Sequence, residues 1–198
     1  MKFILGNKIG MTQMFDKNGK MTPVTLIVVG PCSVLQKKTI EKEGYESLQI
    51  GFKKIEKKSK IGKSMKGKEY RHIKECRTAE GETLNVGDSI DATIFEEGDI
   101  VKISGISKGK GFQGGVKRHG MHGRNATHGV KHEERTIGST GSRFPQHVIK
   151  GRKMPGRMGS DRISVKGLKI MQIDKENNLL VVKGAVPGTR NTLLEIRA

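Results

Sequence analysis

With 198 residues, the chain has room for one sizeable domain or a domain with a large appendage, and its net charge of +18 points to a polyanion, nucleic acid or an anionic membrane surface. No stretch approaches the roughly 18 consecutive apolar residues of a membrane-spanning helix, and the first apolar run is too short for a secretory signal. Cys32 and Cys76 are the only cysteines and lie far apart, which argues against a disulfide framework or a cysteine-ligated zinc site and for reduced thiols.

In chain order, residues 8–15 alternate weakly and are followed by Asp16-Lys17-Asn18-Gly19, whose Asn-Gly pair predicts a hairpin turn. Residues 22–29 are an apolar, β-branched run ended by Gly30-Pro31, a buried strand and a turn. Residues 33–40 and 46–52 read as a further strand pair, so the first fifty residues form one antiparallel β-unit in this reading. A basic cluster, 53–74, interrupts it, and 64–75 is expected to make one or two helical turns. Turns at 86–88 and 97–99 lead into a strand over 99–106. Further strands are predicted at 163–173, 179–183 and 193–196, separated by Glu176-Asn177-Asn178 and Pro187-Gly188. Many short strands and few helical stretches suggest a mainly β protein, a small barrel or sandwich.

Between the strands at 99–106 and 163–173 lies a segment of another kind. Residues 105–160 contain twelve Lys and Arg, two acids (Glu133 and Glu134), five of the six histidines and thirteen of the 27 glycines. Neither strand nor helix periodicity persists in it, and such a segment inside a compact domain is usually functional. It contributes +10 and the cluster at 53–74 contributes +8, so the remainder of the chain is neutral. The organisation expected is a β body, 1–104 plus 161–198 with a basic arm at about 53–75, carrying an extended glycine-rich basic loop at 105–160 anchored at both ends.

Enzymatic readings find no support in this segment. Gly109-Lys-Gly-Phe-Gln-Gly114 matches G-x-G-x-x-G, but the helix and distal acid of a dinucleotide fold are not expected after it, and no Walker motif is present. His119-x-x-His122 and His128-x-x-x-His132 lack the rigid frame and third ligand of a zinc site, so no metal and no cofactor are expected. Glu133-Glu134 is expected to pair with Lys131 or Arg135 rather than act as an acid–base pair. Aromatics are too few for a reader that stacks successive bases. The pattern favours Lys and Arg following the phosphates of folded RNA, with imidazoles on bases, phosphates or 2′-hydroxyls. No basic amphipathic helix suited to a DNA groove is evident.

Several segments carry a resemblance. Gly6-Asn-Lys-Ile-Gly-Met-Thr-Gln-Met-Phe15, residues 105–118, Ala126-Thr-His-Gly129, Gly138-Ser-Thr-Gly141, residues 150–159 and residues 178–188 resemble, in order, the universal large-subunit ribosomal protein three family, in its short bacterial form. The resemblance implies a barrel of the kind shared with translation factors and a structural, non-catalytic role in the cytoplasmic ribosome. It also implies large-subunit rRNA binding early in assembly and a basic loop that reaches towards the peptidyl-transferase centre. Proteins fourteen and nineteen of the same subunit are the neighbours it implies, with no membrane and no small-molecule substrate. Where many bacterial relatives have tryptophan after the Lys-Arg pair, this chain has His119, and Gln146 is the candidate for the glutamine that some relatives methylate.

The RNA-contacting residues expected in the loop are Lys108, Lys110, Lys117, Arg118, His119, Arg124, His128, Lys131, Arg135, Arg143, Gln146, Lys150, Arg152, Lys153 and Arg157. Those expected in the arm are Lys57, Lys58, Lys60, Lys63, Lys66 and Lys68. The alternatives are a nucleotide-binding enzyme using the glycine-rich loop, or a factor that visits the ribosome transiently during assembly.

Overall fold

The β-branched and apolar runs form strands, as their composition requires. The structure, a computed structural model, describes residues 2–16, 18–57, 59, 61–77 and 84–198. Its strands are β1 (Phe3–Phe15), β2 (Met21–Val29), β3 (Cys32–Lys38), β4 (Ser47–Lys54), β5 (Tyr70–Arg77), β6 (Ser89–Ile90), β7 (Ile100–Ile106), β8 (Gly111–Gln113), β9 (Gly156–Met158), β10 (Arg162–Asp174), β11 (Leu179–Lys183) and β12 (Leu193–Arg197). Two short helices, α1 (Ile40–Glu43) and α2 (Gly115–His119), join them. The mainly β reading holds. The chain divides into two compact units, one reaching Ile106 and resuming at Arg162, the other Ser107–Asp161.

In the larger unit, β1, β12, β7, β10, β11 and β2 form a closed barrel in that order. All its pairings are antiparallel, and β1 serves two neighbours: Phe3 to Asn7 pair with β12, and Gly6 to Phe15 pair with β2. The Asn-Gly turn works as its composition suggests, with the Asp16 N–H donating to Lys20 O (2.9 Å) and the Gly19 N–H to Asp16 O (2.8 Å). At the turn after β10, the Asp174 carboxylate accepts from Asn177 Nδ2 (2.7 Å) and from the backbone N–H groups of Glu176 and Asn177. The side-chain and backbone donors of Asn177 hold the Asp174 carboxyl below its usual range.

The first fifty residues do not make one β-unit. After β2 the chain leaves the barrel at Gly30-Pro31, and β3 and β4 join a second sheet of order β5-β4-β3-β6. Periodicity marks a strand but not its partner, so this division could not be read from residue patterns. The helical turns expected at 64–75 are also corrected: a 3-10 turn at Lys63–Met65 is followed by strand β5. Register places Cys76 opposite Leu48 and His72 opposite Phe52, with the Phe52 and His72 rings stacked at 6.3 Å. On β5 the half-buried His72 and the buried Cys76 thus share a face with the exposed Lys74, which concealed its alternation.

One apolar core spans barrel and sheet. It includes Ile4, Leu5, Ile103, Leu180, Leu194 and Ile196 from the barrel and Cys32, Leu48, Ile50, Phe52, Ile90 and Phe95 from the sheet side. Lys8 is buried among these elements, its ammonium donating to Val186 O (2.9 Å) and Gly188 O (3.2 Å), so the charge is not left unsatisfied. Glu195, whose side chain is 12 % exposed, bridges sheet and barrel: it faces Lys74 of β5 (3.6 Å) and Arg162 of β10.

Close packing fixes Gly105. A Cβ there would lie 2.7 Å from Leu194 Cδ2. Gly105→Ala is expected to destabilise the protein by about 1–3 kcal/mol through overpacking, and Leu194→Ala by about 2–5 kcal/mol through a cavity. In urea unfolding the double variant should lose less than the sum of the two, because each relieves the other's defect.

Both cysteines are buried thiols, and burial pushes the Cys32 thiol up to about 11. In the unfolded chain the thiol titrates near its ordinary value of about 8.5. The raised folded value therefore contributes stability that is complete below about pH 8.5 and is lost as pH rises towards 11. A thiol-reactive disulfide reagent at pH 8 should label neither cysteine of the folded protein and both after denaturant is added.

Candidate nucleic-acid interface

The smaller unit starts from a narrow neck. The Ser107 N–H donates to Asp161 O (2.9 Å), the Asp161 N–H to Ser107 Oγ (3.3 Å) and the Lys110 N–H to Met158 O (2.9 Å). Strands β8 and β9 then pair antiparallel, with Phe112 opposite Arg157. A single helical turn, α2, follows Gly114 and ends at Gly120, where φ is +69°. The expectation that no helix follows the glycine motif is corrected to that extent. Its five residues fall far short of the helix of a dinucleotide fold.

Arg118 and His119 are half-buried. Arg118 Nη1 donates to Met154 O (2.7 Å), and His119 Nε2 lies 3.1 Å from the same oxygen. The two side chains therefore tie α2 to the chain just before β9, a role that residue type alone did not reveal. Further out, Arg124 forms an ion pair with Glu133 and its N–H donates to Glu134 O (2.8 Å). The ionic partner of Glu133 is thus Arg124, nine residues before it, and not the neighbouring Lys131 or Arg135. Gly123 makes the close approach possible: its φ is +75°, and a Cβ there would lie 2.3 Å from Glu134 O.

The other expected contacts of this unit are exposed: Lys108, Lys110, Lys117, Arg124, His128, Lys131, Arg135, Arg143, Gln146, Lys150, Arg152, Lys153 and Arg157. Arg152 also donates to Ser139 O (2.6 Å), and the Arg143 guanidinium lies 5.9 Å from the Phe144 ring centroid. The lysines and arginines among them have almost no acids to neutralise them, and the ion pair among the described residues here is the exposed Arg124–Glu133 pair. A surface of this kind attracts a polyanion and gains by releasing its counterions.

The second basic cluster is the tip of the β4–β5 hairpin, closed where the Ile55 N–H donates to Glu69 O (2.8 Å). Lys57, Lys63 and Lys66 are exposed there. Lys68 turns inward, donating to Gln36 Oε1 (2.8 Å) and Gln49 Oε1 (2.5 Å). Lys58 and Lys60 lie outside the described residues. His72 on β5 is held below the usual imidazole range by partial burial and then by the nearby Arg71, Lys53 and Lys74 charges. No group of three or more metal-ligating side chains that could hold an ion occurs among the described residues.

Known proteins match this chain from end to end. The family model for ribosomal protein L3 matches residues 35–178. The chain is 47 % identical to the large ribosomal subunit protein uL3 of Carboxydothermus hydrogenoformans, an alignment covering 99 % of this chain and 96 % of that protein. Identity is 47 % to the protein of the same name from Geobacillus sp. (strain WCH70), covering 100 % and 96 %. It is 46 % to that of Syntrophomonas wolfei subsp. wolfei, covering 99 % and 95 %.

The two kinds of cation should separate experimentally. Arg118→Lys keeps the charge but loses the bond to Met154, so hydrogen exchange at the Lys110 amide should quicken while the salt dependence of RNA binding stays unchanged. Lys117→Ala removes an exposed charge and should do the reverse, flattening the log–log salt slope by somewhat under one unit.

Proposed function

The chain belongs to the ribosomal protein L3 family, and we infer from this that it is a structural constituent of the large ribosomal subunit, binding large-subunit rRNA in the ribosomes of the cytoplasm. The observation that carries this reading is identity of 47 % to uL3 proteins over essentially the whole length of both chains. Proteins of this family are structural constituents of the ribosome, and we read this chain as non-catalytic.

In finer detail, the barrel is of the type found in translation proteins and acts as the rigid body, with Ser107–Asp161 as the main RNA-contacting segment. Supporting this division, the larger unit holds the apolar core, and the cations of the smaller unit are mostly exposed. The contacts run through the exposed cations of this segment together with His128 and Gln146, and through Lys57, Lys63 and Lys66 at the hairpin tip. Lys58 and Lys60 belong to the same proposal on charge alone. Arg118, His119 and Lys68 act chiefly by shaping their surroundings, since each already has a partner within the protein. The segment extends through rRNA towards the peptidyl-transferase centre, the protein takes part early in subunit assembly, and proteins fourteen and nineteen are its neighbours.

Binding across a salt series tests the reading. The full chain should prefer large-subunit rRNA to an unrelated folded RNA. A version with 107–161 replaced by a short linker should lose that preference and show a slope flatter by several units, somewhat under one per lost phosphate contact. Equal binding of both RNAs by both versions would count against rRNA recognition by this segment.

A further inference from the structure

We propose that the concavity within residues 139–152 is a pocket for one unstacked RNA nucleotide, whose base lies on Phe144 and whose phosphate sits beside Lys150 and Arg152. The proposal rests on the rRNA-binding reading and adds to it a defined site and ligand class. The concavity measures about 620 Å³, within the range of small-ligand pockets. Its wall includes Phe144, Pro145 and Ile149 on the apolar side and Ser142, His147 and Lys150 on the polar side.

Three observations favour a nucleotide over other occupants. Phe144 is 70 % exposed, an unfavourable position for a large apolar ring unless something covers it. The Arg143 guanidinium, 5.9 Å from its centroid, leaves the ring in the company of a cation, an arrangement suited to a base with an attached phosphate. Charge supplies the second argument. From Arg135 to Ser160 there is no Asp or Glu, while six Lys and Arg are present. A purely apolar protein segment would leave those cations uncompensated, whereas a nucleotide offers two flat apolar faces, a hydrogen-bonding edge and an anion. The third observation is preorganisation. Arg152 Nη2 closes the loop on Ser139 O (2.6 Å), Ser139 Oγ donates to Gly141 O (2.8 Å) and the Arg152 N–H donates to Ile149 O (3.2 Å). The concavity is therefore shaped by the chain itself, and little ordering entropy remains to oppose binding.

The test is nucleotide-resolution chemical probing of large-subunit rRNA bound to the full chain as wild type, Phe144→Ala and Phe144→Tyr. Wild type should shield an unpaired base, and Phe144→Ala should restore that base to the reactivity it has in free RNA. Affinity should fall about five- to a hundred-and-fiftyfold, the range for loss of one base–aromatic stack. The salt slope should not change, because no charge is removed, and Phe144→Tyr should recover both protection and affinity. Phe144 lies on an exposed loop, so thermal unfolding of Phe144→Ala should match wild type. Affinity within twofold of wild type and an unchanged footprint would overturn the pocket. If the linker-replaced chain loses rRNA preference in the same assay, the rRNA-binding reading survives that failure. A wild-type chain without preference for large-subunit rRNA overturns both. A photo-crosslinker at position 144 that attaches only to protein in intact subunits also overturns the pocket.

Discussion

Closure of the barrel depends on one strand with two partners. Strand β1 is long enough for its first residues to pair with β12 and those from Gly6 onward with β2; Gly6 and Asn7 pair with both, and the register against β2 shifts between Lys8 and Gly10. Such a bulge bends a strand and increases its twist, as a sheet that returns to its own edge requires. Closure removes the free edges, and register places Ile4, Ile103, Leu194 and Ile196 together on one buried face. The second sheet then covers further apolar surface and extends the same core through Cys32, Ile50 and Phe52. The buried ammonium of Lys8 sits near the shift, satisfied by two carbonyls of the loop before β12. A cation in a core is expensive unless paired with such acceptors, so this lysine holds that loop in place instead of serving the surface.

Electrostatics divides the remaining cations into two populations. Some are consumed within the protein. Lys38 pairs with Glu75, Lys74 and Arg162 share Glu195, and Arg118 is spent on the Met154 carbonyl. Others are exposed and have no ion pair among the described residues, among them Lys110, Lys117, Arg135 and Lys150 of the smaller unit and Lys63 and Lys66 at the β4–β5 tip. Surface ion pairs contribute little to stability, so the first population matters mainly for positioning. The second is destabilising on its own through like-charge repulsion, which the phosphates of a polyanion would relieve.

Much of this was legible in the residues, and what was not has identifiable physical causes. Strands β2, β11 and β12 are β-branched or aliphatic runs bounded by turn residues, and they appear within a residue or two of where pattern places them. The basic segment is visible because apolar periodicity stops at Ile106 and resumes after Ser160. Strand β5 was hidden because an edge strand with one wet face can place His72 and Cys76 inward and still be a strand. The partition of β1–β4 between two sheets depends on pairings that no local pattern encodes. The internal roles of Arg118 and His119 depend on a carbonyl 36 and 35 residues away. Composition led to the expectation that both contact RNA, and only their geometry separates them from Lys117.

The neck of the smaller unit has an evolutionary consequence. Ser107 and Asp161 are hydrogen-bonded to each other, so the chain departs and comes back at almost one point. The register of β7 against β10, Ile106 opposite Arg162, is set on the barrel side of that point. Residues gained or lost beyond it need not shift any barrel pairing, and doubling the length of a flexible loop adds only about 0.6 kcal/mol of closure entropy. Length and composition beyond the neck can thus drift while selection on the barrel proceeds separately.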